Sequence, residues 1–205
     1  EQQGHSHTAD LNEPLTYQAM ASDTAEFLET VVGRKAHLVG HSDGGILGLF
    51  IALQRPDLLD RAVVIGANYH KDGLFCPTLP NASPEGDEFA TARNRYGELS
   101  AEGPEHWPVI FAKTQQMWLT EPTLSLSDIA RITAPVLVMV GDDDVIAHSH
   151  SLELYEALAE GQMAMIPGTS HGVKKEKPEI VNRFILDFLG EDVMPSTLKS
   201  VRRGR

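Results

Sequence analysis

The feature that most constrains this chain is a Gly-x-Ser-x-Gly sequence between two apolar stretches. Gly40, Ser42 and Gly44 follow the apolar pair 38–39, and residues 46–53 are almost all apolar. This order predicts a buried strand that turns sharply into a buried helix, with the serine hydroxyl held above the edge of the sheet. A Cβ atom at Gly40 or Gly44 is expected to collide with neighbouring backbone, so both positions must lack a side chain.

Size and charge restrict the class of protein. The 205 residues are enough for one domain with a sizeable core. With 29 acidic and 17 basic residues, the net charge of -12 opposes binding to nucleic acid or to anionic lipid. We find no apolar run of the roughly 20 residues that a membrane span needs. A single cysteine, Cys76, cannot form an internal disulfide, which favours a reducing, cytoplasmic location. The expected partner is a small-molecule substrate.

Apolar periodicity predicts alternating strands and helices. A helix over 17–31 has Thr16 placed to cap its start and Gly33 placed to end it. Further strands are predicted up to Gly40 and over 62–65, 136–140 and 163–166, with helices over 43–54, 151–158 and 179–189. This alternation predicts an α/β fold, with a mostly parallel sheet that has helices on both faces.

The region from Asn68 to Thr133 breaks this alternation with many prolines and glycines. It is predicted to be an insertion that forms a small helical cap, with one helix starting near Pro108 and ending before Pro122. The predicted division is a core over 1–68, the cap over 69–132, a second part of the core over 133–190 and a tail over 191–205.

Chemically capable residues follow the predicted strands. Ser42 follows the first strand, three aspartates at 142–144 follow the strand over 136–140, and His171 follows the strand that ends at Ile166. Carboxyl ends of parallel strands meet at one edge of a sheet, so these side chains are expected to lie together. Serine needs a base to become nucleophilic, histidine suits neutral pH, and a carboxylate fixes the imidazole tautomer. Spacing alone leaves open which aspartate takes that role.

Three segments carry a resemblance to a known family. They are Gly-His-Ser-Asp-Gly-Gly at 40–45, the strand and acidic turn at 135–144, and Pro-Gly-Thr-Ser-His-Gly at 167–172. In these segments, and in the order Ser, Asp, His, the chain resembles the C-terminal two-thirds of an α/β-hydrolase from Glu1 to Leu189. The resemblance implies that Ser42 is the nucleophile, His171 the general base and acid, and Asp144 the orienting carboxylate, with Asp142 or Asp143 as alternatives.

The expected activity is hydrolysis of a carboxylic ester or lactone through an acyl-enzyme, with no cofactor and no metal. The backbone amide of Asp43, at the start of a helix, is expected to hold part of the oxyanion. Carbon–carbon bond hydrolysis and cofactor-free perhydrolysis on the same triad are alternatives, as is a non-catalytic ligand-binding member of the fold. A serine at the turn argues against the branches of the family that use an aspartate nucleophile.

Five further residues are candidates for substrate binding. Four are apolar cap residues that either line a pocket or only pack the cap onto the core, namely Trp107, Phe111, Met117 and Trp118. His41 is expected to pack beside the reactive turn rather than to react. His148 and His150 are predicted to be a solvated pair rather than metal ligands.

The resemblance also implies a strand-rich segment before Glu1, with a loop that supplies a second oxyanion donor. Neither is present in this sequence. The chain is therefore expected to be a fragment of a longer protein, or to depend on another chain, with its first strand at an apolar sheet edge that has no neighbour.

Overall fold

The computed structural model describes residues 1–190, so the predicted tail at 191–205 lies outside the described residues. The strands that it describes form a parallel sheet in chain order: β1 (Ala36–His41), β2 (Leu59–Ile65), β3 (Val136–Asp143) and β4 (Gly161–Ser170). The predicted parallel sheet is confirmed. All of these strands point the same way, so the residues that follow them meet at one edge.

The helices of the described region are α1 (Tyr17–Phe27), α2 (Asp43–Gln54), α3 (Ala90–Leu99), α4 (Trp107–Thr120), α5 (Leu126–Ile129), α6 (His148–Ala157), α7 (Val173–Glu176) and α8 (Pro178–Gly190). A π-helical turn, Leu28–Val32, continues α1. The predicted caps of this first helix are confirmed. The Thr16 side chain accepts a hydrogen bond from the Ala19 amide, and Gly33 ends the turn at φ 64°.

Helices cover both faces of the sheet, as the alternation predicted. Along β2, Ala62 and Val64 pack into the larger core with α1, α2 and α6, whereas Val63 and Ile65 pack on the opposite face with α8. This two-sided burial explains the unbroken apolar run of the strand. The central strands are thereby buried on both faces, below the edge that carries the candidate site.

The predicted insertion contains α3, α4 and α5 and a series of short 3₁₀ turns. The helix expected from Pro108 to Pro122 is α4. The end of the inserted segment packs against the sheet, because Ile129 and Ile132 are fully buried in the same cluster as Val136 of β3. The division of the chain into core and cap units stays a prediction.

At the sheet edge formed by the described residues, β1 pairs with β2 alone, and the side chain of Val39 is 48% exposed. In residues 1–190, no helix combines the length and the apolar character needed to cross a bilayer.

Candidate active site

The turn between β1 and α2 holds Ser42 in an unusual backbone conformation, at φ 55° and ψ -122°. Such a conformation costs a non-glycine residue about 1–3 kcal/mol and persists only where the surroundings impose it. A Cβ atom on Gly40 would lie 2.1 Å from the carbonyl oxygen of Gly44, so the predicted need for glycine at position 40 is confirmed. The α2 backbone crosses directly over β1 at this point.

The same expectation is wrong for Gly44. A Cβ atom there would meet nothing within 4 Å, because that position points into open space at the start of α2. The second close approach is instead at Gly45, where a Cβ atom would lie 2.8 Å from the Cβ of Ala67. Close packing of α2 on the sheet therefore depends on Gly40 and Gly45.

The structure brings Ser42, His171 and Asp144 into one hydrogen-bonded chain. The Nε2 atom of His171 lies 3.1 Å from Ser42 Oγ, and its Nδ1 atom lies 2.7 Å from Asp144 Oδ1. A carboxylate only accepts hydrogen bonds, so Nδ1 carries the ring proton and Nε2 is left to accept from the serine hydroxyl. This is the geometry that general-base activation of a serine requires.

The carboxylate of Asp144 is the one that faces His171, and its side chain is fully buried. Burial raises the pKa of this carboxyl group. The hydrogen bond and charge of His171, together with the amides of Ile146 and Gly141, outweigh that effect and hold the pKa below its usual value. Asp144 therefore stays ionised at neutral pH and can stabilise a charged imidazole.

The other two aspartates of the turn have different environments. Asp142 Oδ1 accepts a hydrogen bond of 2.9 Å from the Thr169 amide, and so joins the end of β3 to the loop that carries His171. Asp143 is exposed. The alternatives that the spacing left open therefore do not contact the histidine.

Gly66, directly after β2, belongs to the site although no sequence motif marked it. It adopts φ +56°, and a Cβ atom would lie 2.9 Å from His171 Nδ1 and 3.2 Å from Asp144 Oδ2. Its bare backbone leaves the space that the histidine–aspartate pair occupies. A lone glycine after an apolar run was the only available signal.

Asp43 occupies the first position of α2, so its amide has no carbonyl partner within that helix. Its carboxylate is held on two sides. Tyr17 donates from its hydroxyl group at 2.7 Å, and Trp118 donates from Nε1 at 3.0 Å. Burial and the Asp43 charge raise the pKa of Tyr17, which therefore remains a donor. This network joins α1 and α4 to the reactive turn.

His41 contacts the backbone of the loop opposite. Its Nε2 atom donates to the carbonyl oxygen of His171 at 2.7 Å, and the two rings lie 4.8 Å apart. Burial lowers the pKa of His41 and favours the neutral ring. The residue therefore braces the His171 loop, consistent with the expectation that it packs beside the turn.

A cavity of about 340 Å³ opens next to Ser42. Its walls are mainly apolar and come from both the core and the inserted segment: Tyr17, His41, Ser42, Asp43, Asn68, Leu74, Cys76, Leu79, Phe89, Trp118, Glu121, Val145, Ile146 and His171. Of the predicted substrate-binding residues, His41 and Trp118 line this cavity. Trp107 and Phe111 line an adjoining one.

Met117 is the exception among these candidates. Its side chain is 2% exposed and it lines neither cavity, because successive helix positions differ by about 100° and Met117 faces the core where Trp118 faces the cavity. Of the two alternatives left open for it, the burial of Met117 favours packing of the inserted segment onto the core.

The prediction of a solvated histidine pair is wrong for His150. This residue is buried, its ring stacks on Tyr69 at 3.9 Å, and its Nε2 atom accepts from the Tyr69 amide at 3.2 Å. Burial lowers the pKa of His150 to about 4. His148 is exposed. The part of the chain with described coordinates has no cluster of three or more His, Cys, Asp or Glu side chains that could hold a metal ion.

Comparison with known proteins places this geometry in context. Residues 2–183 match the model of the Alpha/beta hydrolase family. The protein named "Putative carbamate hydrolase RutD" of Agrobacterium fabrum is 29% identical over 191 residues, which cover 83% of this chain and 73% of the relative. The 2-hydroxy-6-oxo-2,4-heptadienoate hydrolase of Pseudomonas putida is 28% identical over 195 residues, with 85% and 71% covered.

A solved structure shows the same architecture. The meta-cleavage product hydrolase of Pseudomonas fluorescens superposes with a TM-score of 0.72 at 23% identity, covering 92% of this chain and 77% of that one. The fold class predicted from the three sequence segments is confirmed.

Proposed function

The chain belongs to the α/β-hydrolase family, and on that basis we propose that it is a serine hydrolase that cleaves a carboxylic ester or lactone of a small molecule. The observation that carries the proposal is the continuous hydrogen-bonded chain from Ser42 through His171 to the buried Asp144. Relatives named as hydrolases support the general class of reaction.

In the proposed reaction, Ser42 Oγ attacks the carbonyl carbon of the substrate while its proton moves to Nε2 of His171. The Asp144 carboxylate stabilises the resulting imidazolium, and the Asp43 amide faces the oxyanion. The tetrahedral intermediate collapses as His171 gives the proton to the leaving alkoxide, which departs as an alcohol. Water, deprotonated by the same imidazole, then attacks the acyl-enzyme, and the acid leaves as Ser42 regains its proton.

Hydrolysis of a carbon–carbon bond is a second candidate. It is favoured by the similarity to the Pseudomonas putida hydrolase, whose name describes a dienoate substrate. The same three side chains would serve, but the leaving group would be a carbanion that needs an electron-withdrawing neighbour and a proton. Turnover of a simple alkyl ester distinguishes the two candidate activities, because an enzyme specific for carbon–carbon bonds does not need to hydrolyse such an ester.

The test is hydrolysis of ethyl acetate, followed by proton release at constant pH. We expect turnover that falls by about 1000-fold or more in Ser42→Ala, because removal of a triad nucleophile has effects of that size. Ser22→Ala is the matched control, since that hydroxyl is exposed on α1, donates to the Gln18 carbonyl oxygen and accepts from the Gln18 side chain. Equal turnover in Ser42→Ala and the wild type would refute the proposal. Absence of turnover on every ester tested would contradict ester hydrolysis and leave the carbon–carbon hydrolase and the ligand-binding alternative.

A further inference from the structure

A second cavity of about 330 Å³ adjoins the one at Ser42. The two share three wall residues, Asp43, Phe89 and Trp118. The second cavity therefore lies next to the turn that carries Ser42, on the other side of these three side chains.

The second cavity is walled by the rings of Phe89, Tyr96, Trp107, Phe111 and Trp118, and we call it the aromatic chamber. These rings are held against one another. Phe89 meets Phe111 edge to face at 4.8 Å, and Trp107 lies 5.7 Å from Tyr96 and 5.6 Å from Phe111. A preformed set of rings offers both faces and edges to another ring, the geometry that aromatic pairs prefer.

Several polar groups of these walls are engaged within the protein, whereas the buried hydroxyl of Tyr96 has no hydrogen-bond partner among the described residues. The indole N–H of Trp107 donates to the Pro84 carbonyl oxygen at 2.7 Å, and that of Trp118 donates to Asp43. Arg95, which also borders the chamber, is exposed and pairs with Glu98 at 3.2 Å. The walls of the chamber are therefore mainly carbon surface, which favours a neutral and largely apolar occupant.

The volume of the aromatic chamber further limits which ligand can bind in it. An apolar cavity of about 150 Å³ is enough to bind benzene, so the aromatic chamber can hold a phenyl ring together with a short linker. We infer that the aromatic chamber is the specificity subsite of this enzyme, and that it takes an aromatic ring carried on the acyl or alcohol part of the substrate. The inference rests on the proposed function and deepens it.

Three esters test the inference: ethyl acetate, ethyl 3-phenylpropanoate and 2-phenylethyl acetate, each followed by proton release. We expect kcat/KM for at least one phenyl ester to exceed that for ethyl acetate by about tenfold or more. In Ala92→Phe, which places a side chain at the chamber wall, this ratio should fall at least fivefold. Thr91→Phe, the neighbouring exposed position of α3 outside the wall, should leave the ratio unchanged. Equal kcat/KM for all three esters, or an unchanged ratio in Ala92→Phe, would overturn the inference.

A binding measurement separates failure of this inference from failure of the proposed function. The two tryptophans of the chain both line the aromatic chamber, and Trp118 also lines the cavity at Ser42, so comparison with Ala92→Phe assigns a change in emission to the chamber. In Ser42→Ala, 2-phenylethyl acetate should change this emission saturably and ethyl acetate should not, and Ala92→Phe should weaken the change at least fivefold. An emission unaffected by the phenyl ester would overturn the inference, whether or not the wild type hydrolyses ethyl acetate.

Discussion

Gly66 decides whether His171 and Asp144 can stay aligned, although it has no side chain. An added Cβ atom would lie 2.9 Å from His171 Nδ1, at a backbone φ of +56° that also disfavours alanine. We predict that Gly66→Ala lowers kcat for ethyl acetate by about 100-fold, because small displacements of reacting groups have effects of that order. Steady-state kinetics on the folded variant measure it.

Gly44→Ala is the informative control for that variant. It alters a glycine of the sequence motif itself, but its Cβ atom would meet nothing within 4 Å. Its kcat should stay within about threefold of the wild type, since alanine also favours the helix that begins there. A larger loss in Gly44→Ala than in Gly66→Ala would contradict the geometry.

At the scale of single residues, part of the candidate site could be predicted from the sequence and part could not. Ser42, His171 and the aspartates at 142–144 could be placed together because parallel strands bring the residues that follow them to one edge, and the family resemblance pointed to Asp144. The choice among the three aspartates could not be derived from spacing, since the pairing of β3 with β4 shifts register between Gly141 and Asp143. Gly66 could not be found either, because its role depends on side chains distant in sequence.

At the scale of elements, Asp10 ties the polar N-terminal segment to the inserted helix α4. Its nearly buried carboxylate lies 2.8 Å from Lys113 Nζ and 2.9 Å from His106 Nε2. Burial raises the pKa of Asp10, but hydrogen bonds from Lys113, His106 and Gln3 outweigh it and lower the pKa overall. Sequence periodicity does not predict these ion pairs, because the paired residues are about a hundred positions apart in the sequence.

We predict that Asp10→Asn lowers the free energy of unfolding by about 2 kcal/mol at pH 7, between the values for exposed and for buried ion pairs. A lowered folded-state pKa gives stability that is present above the unfolded value of 3.8 and is lost as the pH falls through the folded value. The difference from the wild type should therefore persist from pH 7 to about pH 5 and shrink below about pH 4. Urea unfolding across this range measures it.

Asp23→Asn removes an exposed carboxylate of α1 and serves as the reference, with a change below about 0.5 kcal/mol. A wild-type advantage over Asp10→Asn that grows on acidification would contradict the sign of the linkage.

Element ends were less predictable than element types. The predicted strand over 163–166 extends in the structure from Gly161 to Ser170, through Pro167 and Gly168. Those two residues are poor strand formers and have no partner in β3, because the register between the two strands shifts there and pairing resumes at Ser170 with Asp143. The helix predicted from 151 begins three residues earlier, at His148. His150 lies in its first turn and stacks on Tyr69 in the core, a contact that the sequence pattern did not indicate.

For the whole molecule, alternation of strands and helices was sufficient to predict the sheet, since β2 and β3 are apolar on both faces. The same alternation did not predict the course of the backbone in the inserted segment, where short 3₁₀ turns separate the helices. Cys76 and Asn68 line the cavity at Ser42, yet neither could be assigned there from the sequence. α4 contributes Trp118 to both cavities, whereas α3 contributes wall residues to the aromatic chamber and none to the cavity at Ser42.

The central claim is that His171 makes Ser42 nucleophilic, and reaction with a fluorophosphonate followed by peptide mass spectrometry tests it most directly. The account predicts one adduct, on Ser42, that forms in the wild type and at least 100-fold more slowly in His171→Ala. An adduct on another residue, or equal rates of labelling of Ser42 in the two proteins, would contradict it.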